Sequence, residues 1–447
     1  VQGAPTPRVD AQHCEGMDTA EKTQKWMTRS IIVVSLLTLL GLGLLWPRGE
    51  APELGAQPSE FVDATVTKAV RTTCDAVEAN ALAGCQEVSV RITSGRNAAD
   101  TGVFVIRDTD FRIPQMKGGE QVVLLDVATS PPPYRYSFSD YQRSTPMWWL
   151  LILFIAAVVF VGRWQGMRAL IGLGASGLIL VAFIVPSLLR NQSAVLVALV
   201  GTVAIAYVAL YLAHGVNTAT TVALAGTLLS LVLIVGLAIF AAEIINLSGL
   251  ANEDAQVLRI TASALNLRGL LVAGIVVGAL GVLDDVTVTQ VSTVSALLRA
   301  NPAMNRVDLY REAITVGRDH VASTVNTLVL AYAGAALPLV LLFSQGNKSL
   351  GRILSSEIVA MEIVRMLVGS IGLVISVPIT TALAAAVLTG REQIHGGHDH
   401  TGHSSSRHNR EGGSEQTVAE TKEVRQVAEE PKDAASWDDF GPQDHPI

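Results

Sequence analysis

Between Met147 and Leu388 the chain is a succession of apolar runs, most of them long enough to cross a hydrocarbon layer of about 30 Å as a helix. Inside lipid every backbone N–H and C=O must be satisfied within the segment itself, so such runs have little choice but to be helical. Read this way, helices are expected at 147–162, 169–188, 193–212, 219–242, 269–290, 321–343 and 364–388. A further run at the short end for a span, Ser30 to Trp46, precedes them and follows Lys22, Lys25 and Arg29. It fits a cleaved signal peptide or a retained anchor. No A-x-A site follows it and Trp46 suits the membrane interface, so residues 30–46 are read as the first transmembrane helix. The expected fold class is an α-helical multi-pass membrane protein with about eight transmembrane helices and a small all-β extracytoplasmic domain. Charge agrees: 16% of residues are charged, against roughly 25% in a soluble domain.

The β domain is assigned to residues 50–146. Val88 to Thr93 alternates apolar and polar residues with period two, the mark of a half-buried strand. Glu60–Lys68, Val103–Arg107, Gln121–Val127 and Tyr134–Phe138 are further strands, separated by Gly95, Gly118, Gly119 and Pro131 to Pro133. Five short strands suggest a small barrel or sandwich, of OB type among the options. Cys74 and Cys85 lie in this segment and can form a disulfide if it faces an oxidising compartment. The other reading is two unrelated small core residues.

Arginines set the orientation. Arg163 and Arg168 fall in one tight turn, and Arg299, Arg306, Arg311 and Arg318 cluster about one loop. Both belong in the cytoplasm under the positive-inside rule, although Arg259, Arg268, Lys348 and Arg352 fall outside. An even helix number then puts both termini inside, with residues 1–29 and 391–447 as cytoplasmic tails and 147–390 as a seven-helix bundle. The last tail is polar and reads as disordered. Its His395, His398, His400 and His403 would hold a metal only weakly, so no metal site is assigned and no cofactor is expected.

One stretch carries chemistry. Asp284 and Asp285 follow fifteen residues of almost unbroken apolar sequence from Gly269, which as a helix rise roughly 22 Å. The pair therefore lies within the membrane, where one charge costs on the order of 3 kcal/mol. Neighbours on a helix point about 100° apart, so the two carboxyls need not share a role. A carboxyl shielded from water can exchange a proton near neutral pH, which proton-coupled transport requires. The alternative is a pair of ions neutralised by fixed partners or wetted by cytoplasmic water. On the next helix His320, Ser323, Asn326 and Thr327 form a polar stripe, of the kind that hydrogen-bonds between membrane helices. Asn326 and Thr327 are expected against the aspartates, with His320 as a relay. Gly274 and Gly278 form a G-x-x-x-G that favours close packing.

The sequence contains no phosphate-cradling Gly-Lys loop, no H-E-x-x-H and no nucleophile with an adjacent base. An enzyme is not expected, and adjacent aspartates argue against an intramembrane aspartic protease. Nothing forms a basic face for nucleic acid.

Gly281 to Gln290 (Gly-Val-Leu-Asp-Asp-Val-Thr-Val-Thr-Gln), Tyr310 to Ala313, Gly317 to Leu328 and Ala331 to Pro338 resemble the YibE/F-like family of bacterial membrane proteins. The likeness runs from about residue 60 to 390. It implies residence in the bacterial cell membrane and leaves the activity open. A weaker, local likeness is to the RND superfamily with its SecDF members, in which membrane aspartates take part in proton relay. Asp284 and Asp285 match that pattern and Gly317 falls where the next helix would open, but the large paired periplasmic domains and duplicated bundles are lacking. The function expected is an ion- or proton-linked transporter or permease, with the bilayer and a small solute or ion as partners. A scaffold docking envelope proteins through its β domain is the alternative, and a homo-oligomer is allowed.

Overall fold

The computed structural model describes residues 11–49, 60–73, 84–95, 98–107, 115–127, 135–262, 265–344 and 349–395. Alternation builds one five-stranded antiparallel sheet from β1 (Glu60–Thr73), β2 (Gly84–Ile92), β3 (Thr101–Arg107), β4 (Gln121–Asp126) and β5 (Tyr136–Tyr141), in the order β3-β2-β1-β4-β5. Every second residue points inward: Val62, Ala64, Val66, Val88, Val90, Ile92, Phe104, Ile106, Val122 and Leu124 form a single buried cluster. Irregular register between Val66 and Lys68, and again between Val123 and Leu124, bends the sheet. The edge strands consequently come together. A Cβ on Gly102 of β3 would strike the Tyr136 ring of β5, and Phe104 stacks on Phe138 at 6.4 Å. The result is a curled sheet, closer to the barrel than to the sandwich.

Buried Gln86 fastens the β3–β4 connection by donating to Met116 O and accepting from Met116 N, both at 2.9 Å. Cys85 is buried and disulfide-bonded; Cys74, the partner expected from sequence, lies outside the described residues. So do His398, His400 and His403.

The helices are α1 (Ala11–Leu44), α2 (Ser144–Ile179), α3 (Val185–Leu189), α4 (Ala194–His214), α5 (Thr218–Ile244), α6 (Glu253–Thr261), α7 (Leu267–Ala300), α8 (Arg306–Ala335), α9 (Leu337–Ser344), α10 (Leu350–Leu354) and α11 (Glu357–His395). A π-turn segment, Leu180–Ile184, joins α2 to α3, where Pro186 lacks the N–H that a regular turn needs. Asparagine starts four of the helices: the side chains of Asn217, Asn252, Asn266 and Asn305 accept from backbone N–H groups of the first turn. α1 begins well upstream of the span expected at 30–46, so much of the presumed polar tail is helical.

Among the described residues, six helices are long and apolar enough to cross a membrane, or seven when the bent pair α8 and α9 counts as one. This corrects the expected eight, and two places explain the difference. The helices expected at 147–162 and 169–188 form one helical run, Ser144–Leu189, of 46 residues. Apart from the π segment, it is interrupted at Arg163, with φ 50° and ψ −131°. The interruption is a sharp bend, because a Cβ on Gly166 would fall against the Val158 carbonyl, a residue that a straight helix would hold about 12 Å away. The helix expected at 321–343 instead starts at Arg306, breaks at Ala336 and continues as α9 at 61°. Pro338 explains the break, since it withholds an N–H from the end of α8 and fits the first turn of α9.

Contacts between helices fix the bundle. Ile234 lies against Gly372 and Thr380 against Gly226, so α5 and α11 run antiparallel. Thr227 and Thr287 join α5 to α7, and Gln290 donates to Ala313 O at 2.8 Å to hold α8. α1 is part of this bundle: Met27 and Ile31 are buried in the cluster that holds α4, α5 and α7, and the Tyr207 hydroxyl donates to Ile31 O at 2.8 Å. Glu357 Oε1 accepts from Ser248 N, Ser248 Oγ and Gly249 N at 2.6, 2.7 and 3.0 Å, clamping the α5–α6 loop to the start of α11.

Candidate functional site

α7 is helical because an apolar run of this length can satisfy its backbone groups in lipid only as a helix, and Asn266 caps it. Its buried side runs through Leu271, Ile275, Leu283, Thr287 and Gln290. The two aspartates separate as the helical turn demands. Asp284 is half-buried at the margin of that side, whereas Asp285 is exposed. Asp284 Oδ1 is buried and makes no hydrogen bond among the described residues.

The contacts that fasten α5, α7, α8 and α11 lie at one depth. Thr227 Oγ1 meets Thr287 Oγ1 at 2.8 Å, Thr380 abuts Gly226, and Gly317 sits against Gln290 and Val377. Within about one helical turn, 5.4 Å, of this plane stand Asp284 on α7, Ser230 on α5, His320 on α8 and Thr380 on α11. Asp284 Oδ1, Ser230 Oγ, His320 Nε2 and Thr380 Oγ1 are all buried and without hydrogen-bond partners among the described residues. They share a depth and make no hydrogen bond to one another among the described residues. Other hydroxyls nearby bond back to their own helix: Thr227 to Ala223 O at 3.0 Å, Thr381 to Val377 O at 2.7 Å and Ser376 to Leu373 O at 2.8 Å. Pro378 interrupts α11 here, and it frees the Val374 carbonyl four residues back.

Sequence reasoning placed Asn326 and Thr327 against the aspartates. Both are exposed on α8, Thr327 Oγ1 donates to Ser323 O at 3.0 Å, and neither bonds to Asp284 or Asp285 among the described residues. α8 turns Val321, Val325 and Leu328 inward instead, against Val286, Leu373 and Val377. His320 is half-buried at the edge of that face. Sequence reading missed Ser230, Ser376 and Thr380. Their only signal is the Pro378-Ile-Thr-Thr381 sequence within an apolar run, since single hydroxyls in membrane helices are commonplace.

The arrangement offers a carboxyl, an imidazole and hydroxyls within the apolar bundle, groups able to hold or pass a proton or to face a small cation. Among the described residues no group of three His, Cys, Asp or Glu side chains is placed to hold a metal ion.

Apolar helices of bilayer length around a half-buried aspartate point to a helical membrane protein. The chain belongs to the YibE/F-like family: the family model described as YibE/F-like protein matches residues 150–390, more than half of its length. The match covers the helices after α1 and leaves the β sheet outside, a narrower reach than the likeness from about residue 60. No curated protein and no solved structure matches the chain.

Proposed function

We propose that this protein is an ion- or proton-linked transporter of the bacterial cell membrane, with Asp284 as its ion-responsive group. The supporting observation is that Asp284 Oδ1 is buried without a hydrogen-bond partner at the depth where Ser230, Thr380 and His320 are also unsatisfied. Each such atom costs about 1–3 kcal/mol when nothing meets it, a cost that transient water or a passing ion offsets. His320 is a relay candidate; Asp285, Asn326 and Thr327 face outward and have no direct part in this step. The protein is not an enzyme in this reading, since no hydroxyl of the layer has a base beside it.

In the same reading Arg163 divides Ser144–Leu189 into two limbs that each cross the membrane, and α8 with α9 makes one broken span. Both termini are then cytoplasmic and the β sheet is extracytoplasmic. The disulfide at Cys85 favours that side. Exposed Phe61, Val70 and Val105 on the sheet support a second reading, a scaffold that docks envelope proteins.

A hydrophobic carbodiimide, which reacts with protonated carboxyls in apolar surroundings, tests the first reading on the purified full chain. Modification of Asp284 at pH 7, located by mass spectrometry, is expected. Absence of modification at every pH where the fold survives overturns it and leaves the scaffold.

A further inference from the structure

The outward row of α7 is made of Gly274, Gly278, Gly281, Asp285, Thr289 and Ser292, all exposed. From Gly274 to Ser292 it rises about 27 Å, close to the thickness of the hydrocarbon layer. The other candidate spans show lipid what lipid favours: Leu153, Phe160 and Val161 after β5, Leu196 on α4, Leu233 and Phe240 on α5, Leu367 and Ile371 on α11. α7 exposes no large apolar side chain at all. Two of its glycines have no use within the chain, since a Cβ on Gly274 or Gly281 would meet nothing within 4 Å. Glycine in a helix interior costs roughly 1 kcal/mol relative to alanine, and neither position needs it for conformation or for space inside the protein. Small residues on an outer membrane face let another helix come close.

The charges say which helix. Asp285 is exposed in the apolar span with no ion pair among the described residues, and α8 beside it exposes Arg318 and Asn326, likewise without ion pair or hydrogen bond. Gln290 opposite Ala313 and Gly317 puts Arg318 at the depth of Gln290. Asp285 lies five residues further along, about 7.5 Å in depth, within reach of an extended arginine. One surface thus carries both an unpaired acid and an unpaired base, the condition for a self-complementary two-fold contact. The exposed faces of α7 and α8 measure about 27 Å by 20 Å on each copy, or about 1,100 Å² in all, enough for a specific interface.

We propose that the protein is a homodimer in the membrane, with the α7 and α8 faces of two copies packed together so that Asp285 of each copy meets Arg318 of the other. The contact stands whether or not Asp284 carries ions, because it rests on the exposed row of α7 and on Arg318, not on the buried Asp284 Oδ1.

Oxidative cross-linking in native membranes tests it, on the full chain with Cys14→Ser and with Cys74 and Cys85 retained. Gly281→Cys and Thr289→Cys should each give covalent dimer at least tenfold above Leu233→Cys, which sits on the lipid-facing row of α5. Subunit counting by single-molecule photobleaching in vesicles should find two copies, and Gly281→Leu, for which the single chain has room, should lower the dimer fraction at least tenfold. Equal cross-linking at the three positions, or one copy per particle, would overturn the proposal.

Discussion

Asp284 and Asp285 are adjacent in sequence and unlike in surroundings, so substitution should part them. Asp284→Asn keeps shape and removes the ionisable proton; it is expected to abolish ion-linked activity while membrane abundance stays normal. Asp285→Asn should leave carbodiimide labelling at Asp284 in place and act on assembly instead. Protein level, labelling and copy number measured together distinguish the two. The aspartates were legible from sequence because charge within an apolar run is costly enough to stand out. Ser230 and Thr380 were not, because a hydroxyl in a helix ordinarily bonds to a carbonyl one turn back, and only the packing shows which ones do not. In the sheet, Gln86 offers a residue-scale test: Gln86→Leu strands both backbone groups of Met116 and should lower domain stability by about 2 kcal/mol or more, read as a drop in the denaturant midpoint.

Elements were legible where one periodicity ruled. The five strands fall close to their expected places because alternation is a local property, whereas the curl that brings β3 to β5 depends on bulges that alternation does not announce. Helix ends moved for a similar reason. α8 begins at Arg306 and carries its charged first turns beyond the apolar run, since Asn305 caps it and an apolar window finds only the part that lipid would cover. The corner at Arg163 supplies a prediction at this scale. Its φ of 50° and ψ of −131° lie where side chains are strained and glycine is not. Arg163→Gly should therefore raise thermal stability by about 1 kcal/mol, seen as a higher Tm in detergent. A lower Tm would mean that the guanidinium itself anchors the turn.

Across the whole molecule, the division of Ser144–Leu189 decides the topology. With two limbs, Arg163 and Arg190 lie on opposite sides of the membrane. A cysteine at position 163 should react with an impermeant maleimide only after the cytoplasmic side is opened, and one at position 190 should react in intact cells lacking their outer barrier. Labelling of both from the same side would leave the run as something other than two crossings. The orientation rests on few arginines, and the disulfide at Cys85 is independent of them. Sequence patterning conveyed that the chain is built for a bilayer; it did not convey which faces meet lipid, because lipid-facing and partner-facing rows differ by shape more than by polarity.

The first helix has, by composition, the look of a cleavable leader. Its placement makes it a wall. Ser187 donates to Leu45 O at 2.9 Å, Arg190 to Gly49 O at 2.7 Å and Tyr207 to Ile31 O, while Trp46 stacks on Phe183. Cutting the segment away would take the acceptor from the half-buried Tyr207 hydroxyl and open two apolar clusters along one flank, so a shortened chain should be cleared by quality-control proteases rather than mature. The same polypeptide stretch thus closes the finished bundle.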